Sequence, residues 1–188
     1  MNPFAIIAKH YAPRGELYQV LVTHSVLVTQ KALELAKDFQ KRSPHSEIDL
    51  TFIREAAMLH DIGIYRCNEP KIFCNGEEPY IRHGLLGREI LEKEGLPRHA
   101  LVCERHTGAG ISQNDVVQQK LPLPARDYLP ITLEEKTICL ADKFYSKDTD
   151  KLFHEKPLAK IHESMRKYGP EVVARFESLC DLLLPDWR

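Results

Sequence analysis

Apolar positions recur at i, i+3, i+4 and i+7 through most of the chain, and that spacing predicts helices. From about Gly15 to Lys41, the residues Leu17, Val20, Leu21, His24, Leu27, Val28, Leu35 and Phe39 share one face, and Ser43-Pro44 ends the run. A second helix is expected over about Leu50 to Tyr65, N-capped by Asp49, with Phe52, Ala56, Leu59, His60 and Gly63 together. A third covers Tyr80 to Glu94, with Gly95 as its cap, and Pro97 opens a fourth that ends at Arg105-His106-Thr107-Gly108. Ser112 to Asp115 starts a short helix. Thr132-Leu133-Glu134-Glu135 reads as a capping box for a helix on which Ile138, Ala141, Asp142 and Tyr145 align. Two last amphipathic helices start near Pro157 and Pro170, and Met1 to Pro13 reads as a short helix or arm.

Period-two alternation never persists, so the expected fold class is all-α. At 188 residues, one domain over 1–188 is expected, its core about 17–150 and its C-terminal helices 157–184 packed on that core. The turn-rich segment Arg66–Pro79 and the proline-stiffened Leu121–Ile131 read as solvated connectors or as lids over a site.

The helical pattern places ionisable groups where apolar ones belong. His24, His60 and Asp142 each fall on an apolar face, and Asp61 is adjacent to His60. Unpaired burial of a charge costs several kcal/mol, so such groups pair, neutralise or bind a metal. Taken singly, His24 reads as a core histidine and His106 as a helix-capping one. Taken together, the residues on separate helices can converge in a bundle core, as imidazole and carboxylate metal sites require. His24, His60, Asp61 and Asp142 would make one four-ligand site. His83 and His106 are enough to hold a second ion, with Asp61 bridging both and a hydroxide between them. Without thiolates, this set suits Mn, Fe, Co, Zn or Mg. Two such metals lower the pKa of bound water, orient it and neutralise charge in phosphate ester hydrolysis.

Composition limits the partners. The 26 Lys and Arg against 27 Asp and Glu give a net charge of −1, which leaves no global basic field for nucleic acid or an anionic membrane. Anion binding must then be local, and Arg66, Arg82, Arg105, Arg126 and Lys143 are the candidates to hold a substrate phosphate. The five cysteines are scattered without a CxxC, which argues against a zinc–thiolate site and a disulfide framework. The N-terminal apolar run is short and interrupted by Lys9 and His10, so neither a signal peptide nor a membrane span is expected, and a cytoplasmic location is. A homodimer is left open.

The order His24, then His60-Asp61-Ile62-Gly63, then Asp142 resembles the HD superfamily of metal-dependent phosphohydrolases, in its HDIG-containing branch. The resemblance covers about residues 17 to 150. It implies an all-helical HD-domain bundle, with His24, His60, Asp61 and Asp142 as metal ligands and His60 and Asp61 in the catalytic centre. His83 and His106 match the two extra histidines of binuclear members. The segments His83-Gly84-Leu85-Leu86-Gly87, His106-Thr107-Gly108 and Cys139-Leu140-Ala141-Asp142 are similar to enzymes that split diadenosine tetraphosphate symmetrically, and to small uncharacterised HDIG proteins. Glu104 to Ile111 and Arg126 to Pro130 fit the latter group better. The expectation is therefore a phosphohydrolase or phosphodiesterase, using one or two divalent metals on a small phosphorylated substrate such as a nucleotide. The alternatives are an HD-like di-iron oxygenase, which shares a six-ligand pattern, and a non-catalytic metal or nucleotide sensor.

Overall fold

The computed structural model describes residues 1–187. Its helices are α1 (Pro3–His10), α2 (Glu16–Arg42), α3 (Leu50–Leu59), α4 (His83–Lys93), α5 (Pro97–Arg105), α6 (Gln113–Gln118), α7 (Leu133–Asp142), α8 (Leu158–Met165) and α9 (Pro170–Leu183). The all-α expectation holds for the body of the molecule. The segment between α3 and α4 adds a small sheet: β1 (Cys67–Glu69), β2 (Cys74–Asn75) and β3 (Glu78–Pro79), in the order β2-β1-β3. β2 pairs antiparallel with β1 through Asn68 and Asn75, and β3 pairs parallel with it through Cys67 and Glu78. Strands of two or three residues are too short to show alternation, so the sequence pattern reads as a loop there.

Long α2 is the spine, packed against α3 and α7, while α4 packs against α5. Its buried face is the one the spacing predicts: Val20, Leu21, His24, Val28, Ala32, Leu35 and Phe39. Two apolar clusters flank the middle of the bundle. One joins the C-terminal half of α2 with α7 and α9, including Val28, Leu35, Ile138, Leu140 and Phe176. The other joins α1, the start of α2 and the α4–α5 pair, including Ile7, Leu21, Leu59, Ile62 and Leu91. The candidate chemistry lies between them.

Two boundaries and one cap differ from the sequence reading. The helix of α3 stops at Leu59 rather than near Tyr65, and the chain tightens through Ile62 N–H to Leu59 O and Ile64 N–H to Asp61 O into a 3-10 turn at Ile64–Arg66. His60 and Asp61 thus sit in the turns that leave a helix, not on its side. Tyr80–Arg82 is likewise a 3-10 turn, so His83 is the first residue of α4. The α7 capping box is half made: Thr132 Oγ1 accepts from Glu135 N–H, but the Glu135 carboxylate turns to the Ile131 N–H and Arg105.

Gly63 has φ near −80°, so it is not there for left-handed backbone. A Cβ on it would collide with the His83 carbonyl oxygen and lie 2.5 Å from the Gly87 nitrogen. A Cβ on Gly84 would lie 2.5 Å from the Cys103 carbonyl oxygen. These glycines let the turn after α3, α4 and α5 pass backbone against backbone. That close passage brings His60, Asp61, His83 and His106 within reach of one another.

Candidate metal centre

Five helices deliver six side chains to one point. His24 comes from the middle of α2, His60 and Asp61 from the turn after α3, and His83 from the start of α4. His106 caps the end of α5, and Asp142 is the last residue of α7. All six are buried. They form two groups that share Asp61: His24, His60, Asp61 and Asp142, and Asp61, His83 and His106.

The spacings are those of ligands around an ion. Two atoms each about 2.1 Å from a shared metal, at octahedral or tetrahedral angles, are about 3.0–3.4 Å apart. In the first group, His24 Nε2 is 2.9 Å from Asp142 Oδ1 and 3.3 Å from Asp61 Oδ2. His60 Nε2 is 3.0 Å from Asp61 Oδ2 and 3.3 Å from Asp142 Oδ1. In the second, Asp61 Oδ1 is 3.4 Å from both His83 Nε2 and His106 Nε2, and those two nitrogens are 3.1 Å apart.

Tautomers sharpen the argument. Three of the histidines present Nδ1 to the carbonyl three residues back: His60 to Ala57 at 2.6 Å, His83 to Tyr80 at 2.7 Å and His106 to Cys103 at 2.7 Å. A carbonyl accepts, so Nδ1 carries the proton and Nε2 faces the cluster. Placement at helix ends and turns makes that contact possible. Burial pushes the His83 ring down to about 3 and lowers His106 as well, so both are neutral. Two Nε2 lone pairs then face each other at 3.1 Å, an arrangement that calls for a cation between them. His60 Nε2 and both oxygens of Asp61 are buried without an aligned hydrogen bond. The donor set and its orphaned atoms fit divalent metal.

Without metal, the cluster balances itself with protons and lysines. Burial opposes charge on His60, but Asp61 and Asp142 outweigh it and lift the ring to about 9. Burial would raise the carboxyls, yet His60 and Lys147 hold Asp61, and Lys143 and Lys147 hold Asp142, well below the usual range. Lys147 Nζ is 2.6 Å from Asp61 Oδ2, and Lys143 Nζ is 2.6 Å from Asp142 Oδ2.

Of the five basic residues expected to hold phosphate, Lys143 stands at the cluster. The arginines are engaged by carboxylates: Arg66 with Glu89 at 3.0 Å, Arg82 with Glu78 at 2.9 Å, Arg105 with Glu135 at 3.0 Å and Arg126 with the buried Glu104. Lys147 and Lys156 escaped the sequence reading because they fall in a polar turn after α7. With Asp142, Lys143, Tyr80 and Tyr145 they line a cavity of about 330 Å³ that opens beside the cluster. The only available signal was lysine recurring at 143, 147 and 156 behind a buried aspartate.

The site defines a helical protein with an imidazole–carboxylate centre suited to a divalent ion. The chain belongs to the HD domain family, which its residues 21–146 match. Members of that family are in general metal-dependent phosphohydrolases. The chain is 38% identical over 155 residues to an uncharacterised protein of Methanocaldococcus jannaschii, spanning 78% of this chain and 82% of that protein. It is 40% identical over 101 residues to the tRNA (cytidine(56)-2'-O)-methyltransferase of Picrophilus torridus, 53% of this chain and 26% of that protein. Against the protein of the same name from Thermoplasma volcanium it is 30% identical over 155 residues, 82% of this chain and 38% of that protein. The alignment thus covers less than two fifths of either methyltransferase-named relative. No solved structure matches the chain. Among the described residues, no helix is long and apolar enough to cross a membrane.

Proposed function

We propose that the chain is a phosphohydrolase that uses two divalent ions to cleave a small phosphorylated substrate, with a nucleotide as the first candidate. The observation that carries this reading is the pair of buried ligand groups sharing Asp61, beside a lysine-lined cavity. His24, His60, Asp61 and Asp142 would hold one ion, and Asp61, His83 and His106 the other. Bound there, the ions supply water activation and neutralise charge on the phosphoryl oxygens.

The chain's own groups do the rest. Ala57, Tyr80 and Cys103 carbonyls fix the imidazole orientations, as outer-sphere partners of ligands do. Lys143, held by Asp142 and the His106 carbonyl at 3.3 Å, adds positive charge to the cavity lining. His60-Asp61-Ile62-Gly63 and His83-Gly84-Leu85-Leu86-Gly87 support a place in the HDIG-containing branch, near the symmetrical diadenosine tetraphosphate hydrolases.

The test is turnover of a panel of nucleotides and other phosphate esters, diadenosine tetraphosphate included, by protein reconstituted with Mn, Fe, Co, Zn or Mg. Metal-dependent release of phosphate or a nucleoside phosphate is expected, lost in His24→Ala, Asp61→Ala and Asp142→Ala. Undiminished turnover in all three variants would rule the reading out. Oxygen consumption by an iron-loaded chain inert to every phosphate compound would replace it with an oxygenase.

A further inference from the structure

The cavity beside Asp142 has three lysines in its lining, and they are not equivalent. Lys143 and Lys147 already face carboxylates, Asp142 and Asp61. Lys156 does not. Its half-buried ammonium donates to the Tyr145 carbonyl at 3.3 Å and forms no ion pair among the described residues. Its backbone is pinned: Lys156 N–H donates to the Phe144 carbonyl at 2.7 Å, two residues past Asp142, and Pro157 stiffens the next position. Burial lowers its pKa, and Lys143, Lys147 and Lys151 add to that against the pull of Asp142. A fixed cation held beside two others, with no carboxylate of its own, is unfavourable until an anion joins it.

Glu69 and Asp148 also line the cavity, and Asp148 is committed to Lys151 at 3.5 Å. Ile161 and Met165 add apolar surface to the lining. The volume of about 330 Å³ lies at the small end of ligand pockets, enough for a diphosphate-sized group. Lys156 also lies beyond the 21–146 segment that the family match covers.

We propose that Lys156 seats a second phosphate, adjacent to the phosphoryl group at the histidine–aspartate cluster, so that the substrate is a phosphoanhydride rather than a phosphate monoester. The proposal rests on the phosphohydrolase reading above. In the reaction, the oxygen of water bonds to the phosphorus at the cluster as the bond from that phosphorus to the bridging oxygen breaks. The electron pair stays on the bridging oxygen, which leaves with the phosphate on Lys156, and water gives up one proton to solvent.

The experiment is calorimetric titration of the manganese-reconstituted protein with imidodiphosphate, a non-hydrolysable diphosphate, and separately with inorganic phosphate. Lys156→Met and Lys156→Gln are compared with wild type and with Lys160→Met, an exposed lysine paired to Glu163. Both Lys156 variants should weaken imidodiphosphate at least about tenfold more than they weaken phosphate, a difference of about 1.4 kcal/mol. Lys160→Met should change neither affinity. Lys156→Arg, which keeps the charge, should recover most of the imidodiphosphate affinity. Equal weakening of both probes in folded Lys156 variants, or no weakening, overturns the proposal.

Turnover measured in parallel separates the two ways to fail. Monoesters and anhydrides cleaved with the same dependence on Lys156 refute the seat and keep the hydrolase. An imidodiphosphate preference that depends on Lys156, in a chain that hydrolyses nothing, refutes the hydrolase and keeps the seat.

Discussion

Asp61 is the residue on which the two halves of the centre depend. Its Oδ2 faces His24 and His60, and its Oδ1 faces His83 and His106. Asp61→Ala should therefore lose both ions, and turnover should fall by more than about 100-fold, the upper end of what losing an outer-sphere partner alone costs. His83→Ala or His106→Ala should remove one ion and keep the other, which metal analysis of the purified variants would read directly; loss of both ions would show the groups to be inseparable. A different histidine sets an acid limit on stability. His99 is buried against Phe52 at the start of α5, and burial lowers its pKa, with Glu55 only partly opposing. The unfolded chain, with an ordinary value of about 6.5, then binds the proton first. This contribution to stability is complete above that value and is lost as pH falls through the lower folded one. His99→Gln should flatten that acid limb of melting temperature against pH, and an unchanged slope would assign the limb elsewhere.

Among the elements, the passage of Gly63 against α4 places His83. Gly63→Ala forces backbone against backbone and should cost about 1–3 kcal/mol or more. It should also release the ion held by His83 and His106. Gly87→Ala meets Cys103 Cβ at 3.1 Å, a side chain rather than a backbone, and should be milder in both respects. A Gly63→Ala protein with wild-type melting temperature and metal content would contradict this account of the glycine. Much of this layer was legible in the sequence. The inward face of α2, the Asp49 cap, Pro97 and Pro170 at helix starts, and His24 and Asp142 among apolar neighbours all follow from spacing and local chemistry. The early end of α3 was not, because Ile62 and Ile64 continue the apolar pattern while the backbone has already tightened into 3-10 turns. The small sheet was hidden by strands shorter than one period of alternation. Lys147 and Lys156 were hidden because charge in a turn normally means solvent, and only the packing around α7 folds that turn back over Asp142.

For the whole molecule, the centre lies between two apolar clusters and joins five helices, so filling it should stabilise the fold. At a free ion concentration 100 times Kd, binding adds about 2.7 kcal/mol. For a chain of this size, that corresponds to about 5–10 °C in melting temperature. Chelation should remove this increment and readdition of the ion should restore it; an unchanged melting temperature after verified metal removal would place the ions outside the core. The near-neutral overall charge leaves anion recognition to the lysines at the cavity, so substrate binding should depend more on those side chains than on ionic strength. The most direct test of the central claim is the metal content per chain of protein purified without chelator, repeated after reconstitution with Mn, Fe, Co, Zn and Mg and in Asp61→Ala. About two ions per wild-type chain and close to none in the variant is the predicted result. A wild-type chain that takes up no stoichiometric metal under any of these conditions would mean that the six residues satisfy one another and that the centre is structural.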